Sequence, residues 1–160
     1  MKHIAVYAGT FDPVTNGHLD LVERSLRIFG ELIVAVAVNP KKNPLFSHQE
    51  RIDMLRELTA TYKNITIEGF NGLLIDYVRQ KKATAIIRGL RAVSDFEFEM
   101  QMALTNRRLC NTIEAVFMMP NEAYSFITST IVKEVASFGG DVSTFVPPIV
   151  LERLNKKFEK

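Results

Sequence analysis

The sequence predicts an α/β fold, a doubly wound parallel five-stranded sheet, as a single domain over residues 1–160. Three observations carry this. Apolar runs of strand length alternate with segments of helical period along the whole chain. Leu32-Ile33-Val34-Ala35-Val36-Ala37-Val38 is continuously apolar, as expected of a strand covered on both faces. Gly9-Thr10-Phe11-Asp12-Pro13-Val14-Thr15-Asn16-Gly17-His18 directly follows the apolar run Ile4-Ala5-Val6-Tyr7-Ala8. A strand there ends in a turn of glycines and hydroxyls and a helix opens, the geometry of a phosphate site at the C-terminal edge of a parallel sheet.

The elements follow in order. Strands are expected at 3–8, 32–38, 65–69, 84–88 and 113–118, where apolar residues run together. The first helix, 17–29, carries Leu19, Val22, Leu26 and Phe29 on one face and is capped by Asn16 or Thr15. The second, 48–61, opens on Ser47-x-x-Glu50 and the fourth, 95–108, on Ser94-x-x-Glu97, both of capping-box form. The third covers 72–82, and the fifth, 129–138, stops at Gly139-Gly140. Pro147-Pro148 introduces a last helix over 149–158. Right-handed crossovers gather the loops after all the strands on one edge of the sheet. That edge then collects Thr10 and His18, Lys41 and Lys42, Asn71 and Gly72, Arg88 to Arg91, and Tyr124 to Thr130. No repeat or linker divides the chain.

Composition narrows the function classes. A net charge of +2 suits a small anionic substrate and is too mild to imply nucleic acid as a partner. A single cysteine, Cys110, excludes an intrachain disulfide or a cysteine-based zinc site and points to a reducing, cytoplasmic setting. No basic segment leads into a long apolar core, so no signal peptide is expected. No apolar run reaches roughly 18 residues, so no membrane span is expected.

Several residues carry chemistry in this frame. There is no Gly-x-x-x-x-Gly-Lys-Ser/Thr loop, so phosphates are handled by another device. His18, in the first turn of a helix, can donate an imidazole N–H to a phosphate oxygen, and Thr10 offers a hydroxyl just past a strand end. Asp12-Pro13 reads as turn chemistry. Arg88 ends an apolar strand, a costly place for a charge unless an anion meets it, and Gly89 lets backbone approach a ligand. Phosphate binding by Arg88 and Arg91 competes with ion pairs to Asp95, Glu97 or Glu99. Lys42 lies in the loop after the second strand. Tyr124-Ser125-Phe126-Ile127-Thr128-Ser129-Thr130 brings hydroxyls and free backbone N–H groups to a helix start, which is a phosphate cradle as well as an N-cap. Phe96, Phe98, Met100 and Met102 read as core or subunit contacts. There is no evident nucleophile with a base beside it.

Together these segments resemble the bacterial phosphopantetheine adenylyltransferases, of the nucleotidylyltransferase superfamily with its Rossmann-like fold. Thr15-Asn16-Gly17-His18 is similar to the superfamily's Thr/His-x-Gly-His signature. Ile127-Thr128-Ser129-Thr130-Ile131-Val132-Lys133 is similar to its Ile-Ser-Ser-Thr-x-x-Arg signature, with Thr128 for serine and Lys133 for arginine. Arg88-Gly89-Leu90-Arg91 with Asp95-Phe96-Glu97-Phe98-Glu99-Met100 narrows the resemblance to the phosphopantetheine enzymes, over nearly the whole chain.

The resemblance implies that ATP and 4'-phosphopantetheine give dephospho-coenzyme A and pyrophosphate, by direct attack of the acceptor phosphate on the α-phosphorus. It implies Mg²⁺ accompanying ATP with no protein metal ligand, a homohexamer, and no nucleic-acid or membrane partner. It gives His18 to the α-phosphate, and Thr10 to the attacking phosphate or the α-phosphate. Lys42 and Arg88 fall to the acceptor phosphate, and Leu74 to the pantetheine pocket. Arg91 falls to the β- or γ-phosphate. The ATP site is completed by Phe11, Gly89, Leu90, Glu99, Tyr124, Ser125, Phe126, Ile127, Thr128, Ser129 and Thr130. Three other readings remain open on these residues: a superfamily transferase with a nicotinate-mononucleotide or cytidylyl chemistry, a nucleotide sensor without turnover, and a nucleic-acid-binding module.

Overall fold

The computed structural model describes residues 3–39, 41, 43–91 and 93–159, and the side chains of Val93 and Ser94 are outside that description. Five strands, β1 (His3–Gly9), β2 (Gly30–Ala37), β3 (Ile65–Phe70), β4 (Ala85–Gly89) and β5 (Glu114–Met118), form one sheet in the order β3-β2-β1-β4-β5. Every pairing is parallel. Six helices alternate with them: α1 (Asn16–Phe29), α2 (His48–Leu58), α3 (Leu74–Gln80), α4 (Val93–Leu109), α5 (Ser129–Ser137) and α6 (Pro148–Phe158). The strand order reverses between β1 and β4, so the loops leaving these two strands part and open a crevice at their C-terminal ends.

The period-two alternation of the strands divides the core. Ala5 and Tyr7 of β1, Val34 of β2 and Ile87 of β4 pack on one face with Leu21, Val22, Leu55, Val132 and Leu154 from α1, α2, α5 and α6. Val6, Ala8, Ile33, Ala35 and Ile86 pack on the other with Ile75 and Val78 of α3. Each fully buried aliphatic side chain contributes about 1.5–3 kcal/mol relative to exposure. Two covered faces explain why β2 reads as an unbroken apolar run.

The expected elements are all present, with boundaries that local chemistry moves. α2 stops at Leu58 rather than residue 61, because Thr59 caps it and donates its hydroxyl to the Leu55 carbonyl at 2.7 Å. α3 is shorter than 72–82: Gly72, at φ 89°, precedes it and Lys82, at φ 54°, lies beyond its end. α4 begins at Val93, so Ser94 lies inside the helix and not at its N-cap as expected. The Ser47 box forms, with Ser47 N–H donating to Glu50 at 2.7 Å and Glu50 N–H to the Ser47 hydroxyl at 3.1 Å. After α5, Gly139 at φ 78° turns the chain, and the Gly140 N–H donates to the Val135 carbonyl at 2.9 Å.

Candidate active site

The crevice is a cavity of about 710 Å³ bordered by the ends of β1 and β4, the start of α1, the inner face of α4 and the start of α5. Its floor is fixed from behind by two buried charged residues. Arg51 of α2, 1% exposed, donates to the carbonyls of Thr10 at 2.7 Å, Ala37 at 2.9 Å and Phe46 at 3.2 Å. Asp12 accepts the Leu45 and Phe46 N–H groups, both at 2.9 Å, and Lys133 of α5 at 2.6 Å. The ends of β1 and β2, the following loop and α5 are thereby tied together. Thr10, which borders the cavity, is held by its carbonyl, and its hydroxyl hydrogen-bonds to no described residue.

His18 is held at the first turn of α1 by an unusual capping box. Thr15 accepts the His18 N–H on its hydroxyl at 3.3 Å, and the Thr15 N–H donates to Nδ1 of His18 at 3.0 Å. Histidine thus occupies the place that glutamate or glutamine takes in the usual box. A ring nitrogen that accepts carries no proton, so the neutral ring bears its proton on Nε2. Burial, reinforced by the positive charges of Arg91 and Arg88, lowers the His18 pKa to about 3. The side chain is a neutral N–H donor on the cavity wall, wedged against the Phe11 ring at 4.9 Å between centroids.

Two arginines frame the opposite side. Arg88 donates through Nε and Nη2 to the two carboxylate oxygens of Glu99 at 2.9 and 2.7 Å, and through Nη1 to the Ala8 carbonyl at 2.7 Å. Burial alone would lower the pKa of Arg88, but the paired Glu99 outweighs it and holds the guanidinium charged. Of five N–H groups, these three contacts use three and leave two. Arg91 is steadied by Asp95 at 3.2 Å. The ion pair weighed against phosphate binding is therefore present in the form Arg88–Glu99, and it orients the arginine while leaving it donors.

At the start of α5 the Thr128 hydroxyl caps the Ile131 N–H at 3.0 Å, and the Ser129 hydroxyl donates to the Pro13 carbonyl at 2.8 Å. The backbone N–H groups of Ser129 and Thr130 hydrogen-bond to no described residue, and both residues line the cavity. An anion would meet these N–H groups and the positive end of the helix.

The structure brings most of the sequence candidates together. Thr10, Phe11, His18, Leu74, Arg88, Gly89, Arg91, Glu99, Tyr124, Ile127, Thr128, Ser129 and Thr130 all border the cavity. Leu90, Ser125 and Phe126 do not; Phe126 is 59% exposed and packs edge-on against Phe145 at 5.7 Å. Lys42 lies outside the described residues. At Gly89, which borders the cavity, a β-carbon would also meet a methyl of Leu21 of α1 at 2.8 Å. Asp12, read as turn chemistry, is instead a buried anchor, and Lys133 turns to it. Arg51 carried no local signal, because its partners are carbonyls distant in sequence.

Hydrogen-bond donors and cations gather at the switch point of a parallel sheet, where folds of this kind bind phosphate-bearing ligands. A family model described as cytidylyltransferase-like matches residues 6–135. A phosphopantetheine adenylyltransferase of Thermodesulfovibrio yellowstonii is 55% identical over 100% of this chain and 100% of its own. Those of Alkaliphilus metalliredigens, 53% identical over 96% of this chain and 98% of its own, and Heliobacterium modesticaldum, 55% identical over 97% and 92%, agree. The chain belongs to the phosphopantetheine adenylyltransferase family. Solved structures share the fold. A Vibrio parahaemolyticus protein assigned as a nicotinate-nucleotide adenylyltransferase superposes with a TM-score of 0.72 at 17% identity, covering 100% of this chain and 98% of its own. A bifunctional NMN adenylyltransferase/ADP ribose pyrophosphatase of Francisella tularensis gives 0.71 at 16% identity, covering 98% of this chain and 49% of its own.

Proposed function

We propose that this site transfers the adenylyl group of ATP to 4'-phosphopantetheine, forming dephospho-coenzyme A and pyrophosphate in coenzyme A synthesis. Membership of the family supports the reaction and the acceptor. The observation that carries the mechanism is His18, locked by Thr15 as a neutral Nε2–H donor between the phosphate-binding backbone and the two arginines.

An oxygen of the acceptor phosphate attacks the α-phosphorus. The new P–O bond forms as the bond to the bridging oxygen of pyrophosphate breaks, and the electron pair leaves with pyrophosphate. No side chain is covalently modified. His18 donates to the α-phosphoryl oxygens as their charge redistributes, and Thr10 orients the incoming phosphate. Arg88, with Lys42, holds that phosphate through the N–H groups Glu99 leaves available. Arg91 and the first turn of α5, with Ser129 and Thr130, hold the β- and γ-phosphates. Leu74 borders the pantetheine arm, and Phe11, Gly89, Tyr124, Ile127 and Thr128 border the nucleotide, with Leu90, Ser125 and Phe126 in the same loops but off the cavity wall.

The donor set bears on Mg²⁺. The carboxylates of Asp12, Asp95 and Glu99 on the cavity wall are paired with Lys133, Arg91 and Arg88. Among the described residues no group of three or more histidine, cysteine, aspartate or glutamate side chains gathers for a metal. With these carboxylates already paired, a Mg²⁺ ion would come with ATP, whose phosphates Arg91 and the first turn of α5 would hold, and it would neutralise charge on the triphosphate.

The enzyme acts in the cytoplasm as a homohexamer. No helix of the described residues is long and apolar enough to cross a membrane. α4 leaves Phe96, Phe98, Leu104 and Leu109 exposed, an apolar surface suited to contacts between subunits.

Pyrophosphate release from ATP and Mg²⁺ tests the reading, with 4'-phosphopantetheine and nicotinate mononucleotide as parallel acceptors. Release with phosphopantetheine alone is expected. Release only with the other acceptor overturns the substrate, and ATP binding without release from either overturns the reaction.

A further inference from the structure

The mechanism above leaves Tyr7, which lines the cavity, unused. Tyr7 lies on β1 between Val34 of β2 and Ile87 of β4 and is 4% exposed. Its ring packs edge-on against Phe11 at 5.3 Å and stands 6.5 Å from the His18 ring. Those contacts fix the ring, and phenylalanine would satisfy them equally. A tyrosine this deep ordinarily spends its hydroxyl on a protein partner. The Tyr7 hydroxyl makes no hydrogen bond to any described residue. Among the described residues no fully buried side-chain oxygen or nitrogen lacks a partner, so this oxygen is not sealed in the core. It opens on the cavity that Tyr7 lines.

Resting on the transfer reaction proposed above, we infer that the Tyr7 hydroxyl is a further hydrogen-bond donor to the phosphoryl group in transfer, beside His18 and Thr10. Its surroundings suit an anion: Arg88 and Arg91 lie near enough for their charges to act on the phenol, and His18 is neutral. Burial pushes the phenol pKa well up, so the group stays protonated and can only donate to a phosphate oxygen. No proton moves and no bond to Tyr7 forms. The contact shortens as charge redistributes on the α-phosphoryl oxygens, so its effect falls on the transition state.

Tyr7→Phe tests this, because it removes one oxygen and keeps the ring. Pyrophosphate release is measured with ATP, Mg²⁺ and 4'-phosphopantetheine for wild type, Y7F and H18A, with thermal midpoints alongside. The expected result is a kcat for Y7F lower by about tenfold or more, with both KM values within about threefold and the midpoint unchanged. A purely structural hydroxyl would move the midpoint and leave that split absent. A kcat for Y7F within about twofold of wild type, while H18A is strongly impaired, overturns the Tyr7 assignment and leaves the reaction standing. Absence of release by the wild-type enzyme overturns the reaction and the assignment with it.

Discussion

The role proposed for His18 requires a neutral ring. The Thr15 N–H holds its Nδ1 as an acceptor, and burial with the nearby arginines holds its pKa at about 3. His18→Ala should lower kcat by about 10²–10³-fold while leaving the ATP Kd within a few-fold, measured by turnover and calorimetry. A kcat close to wild type would remove the role given to this residue. The pH dependence follows from the same shift. The folded pKa lies below the ordinary 6.5, so His18 contributes stability above about pH 6.5 that is lost progressively as pH falls through about 3. The rate profile of the wild-type enzyme should therefore show no limb near pH 6.5 that disappears in H18A. At this scale the sequence was informative wherever a residue sat in a local motif, as His18 and Arg88 do. It was silent on the histidine capping box, since Thr-x-x-His departs from the Thr-x-x-Glu pattern. Asp12 and Arg51 were also hidden, because what makes them important is burial against groups brought close only by the fold.

In the proposed mechanism two elements position the phosphates, and each has its own test. The start of α5 depends on Thr128, whose hydroxyl caps the Ile131 N–H. Thr128→Ala should cost about 1 kcal/mol in urea unfolding and raise the ATP Kd several-fold, because it loosens the first turn that presents the Ser129 and Thr130 N–H groups. α2 supports the site through Arg51, which satisfies three carbonyls where β1, β2 and the following loop meet. Arg51→Met should cost about 3 kcal/mol or more by leaving buried carbonyls without donors. At a temperature where the variant is fully folded, its kcat should also fall, as Thr10 loses its brace. Element identity was readable from periodicity, but boundaries were not. Gly72 and Lys82 shorten α3 through positive φ values, and α4 begins before the serine that looked like its cap.

For the whole molecule, alternation of apolar runs and helical segments was enough to indicate the sheet edge at which the cavity lies. A parallel sheet with right-handed crossovers leaves the loops at one edge, and the order β3-β2-β1-β4-β5 opens them between β1 and β4. What the pattern could not supply is side-chain direction within that edge. Leu90, Ser125 and Phe126 share the loops of the site without bordering the cavity, and Lys133 spends its charge on Asp12. The exposed apolar face of α4 belongs to this scale as well. Light scattering of the purified protein should give about six times the 18.1 kDa of one chain, and a monomer at micromolar concentration would contradict the hexamer.

The central claim is that the protein positions two phosphates and stabilises a direct displacement, with no covalent intermediate. The most direct test is the stereochemical course at phosphorus, read by turning over one diastereomer of adenosine 5'-O-(1-thiotriphosphate) with 4'-phosphopantetheine and assigning the product. Inversion at the α-phosphorus is the predicted result. Retention would require two displacements through an adenylylated side chain, and would contradict the account.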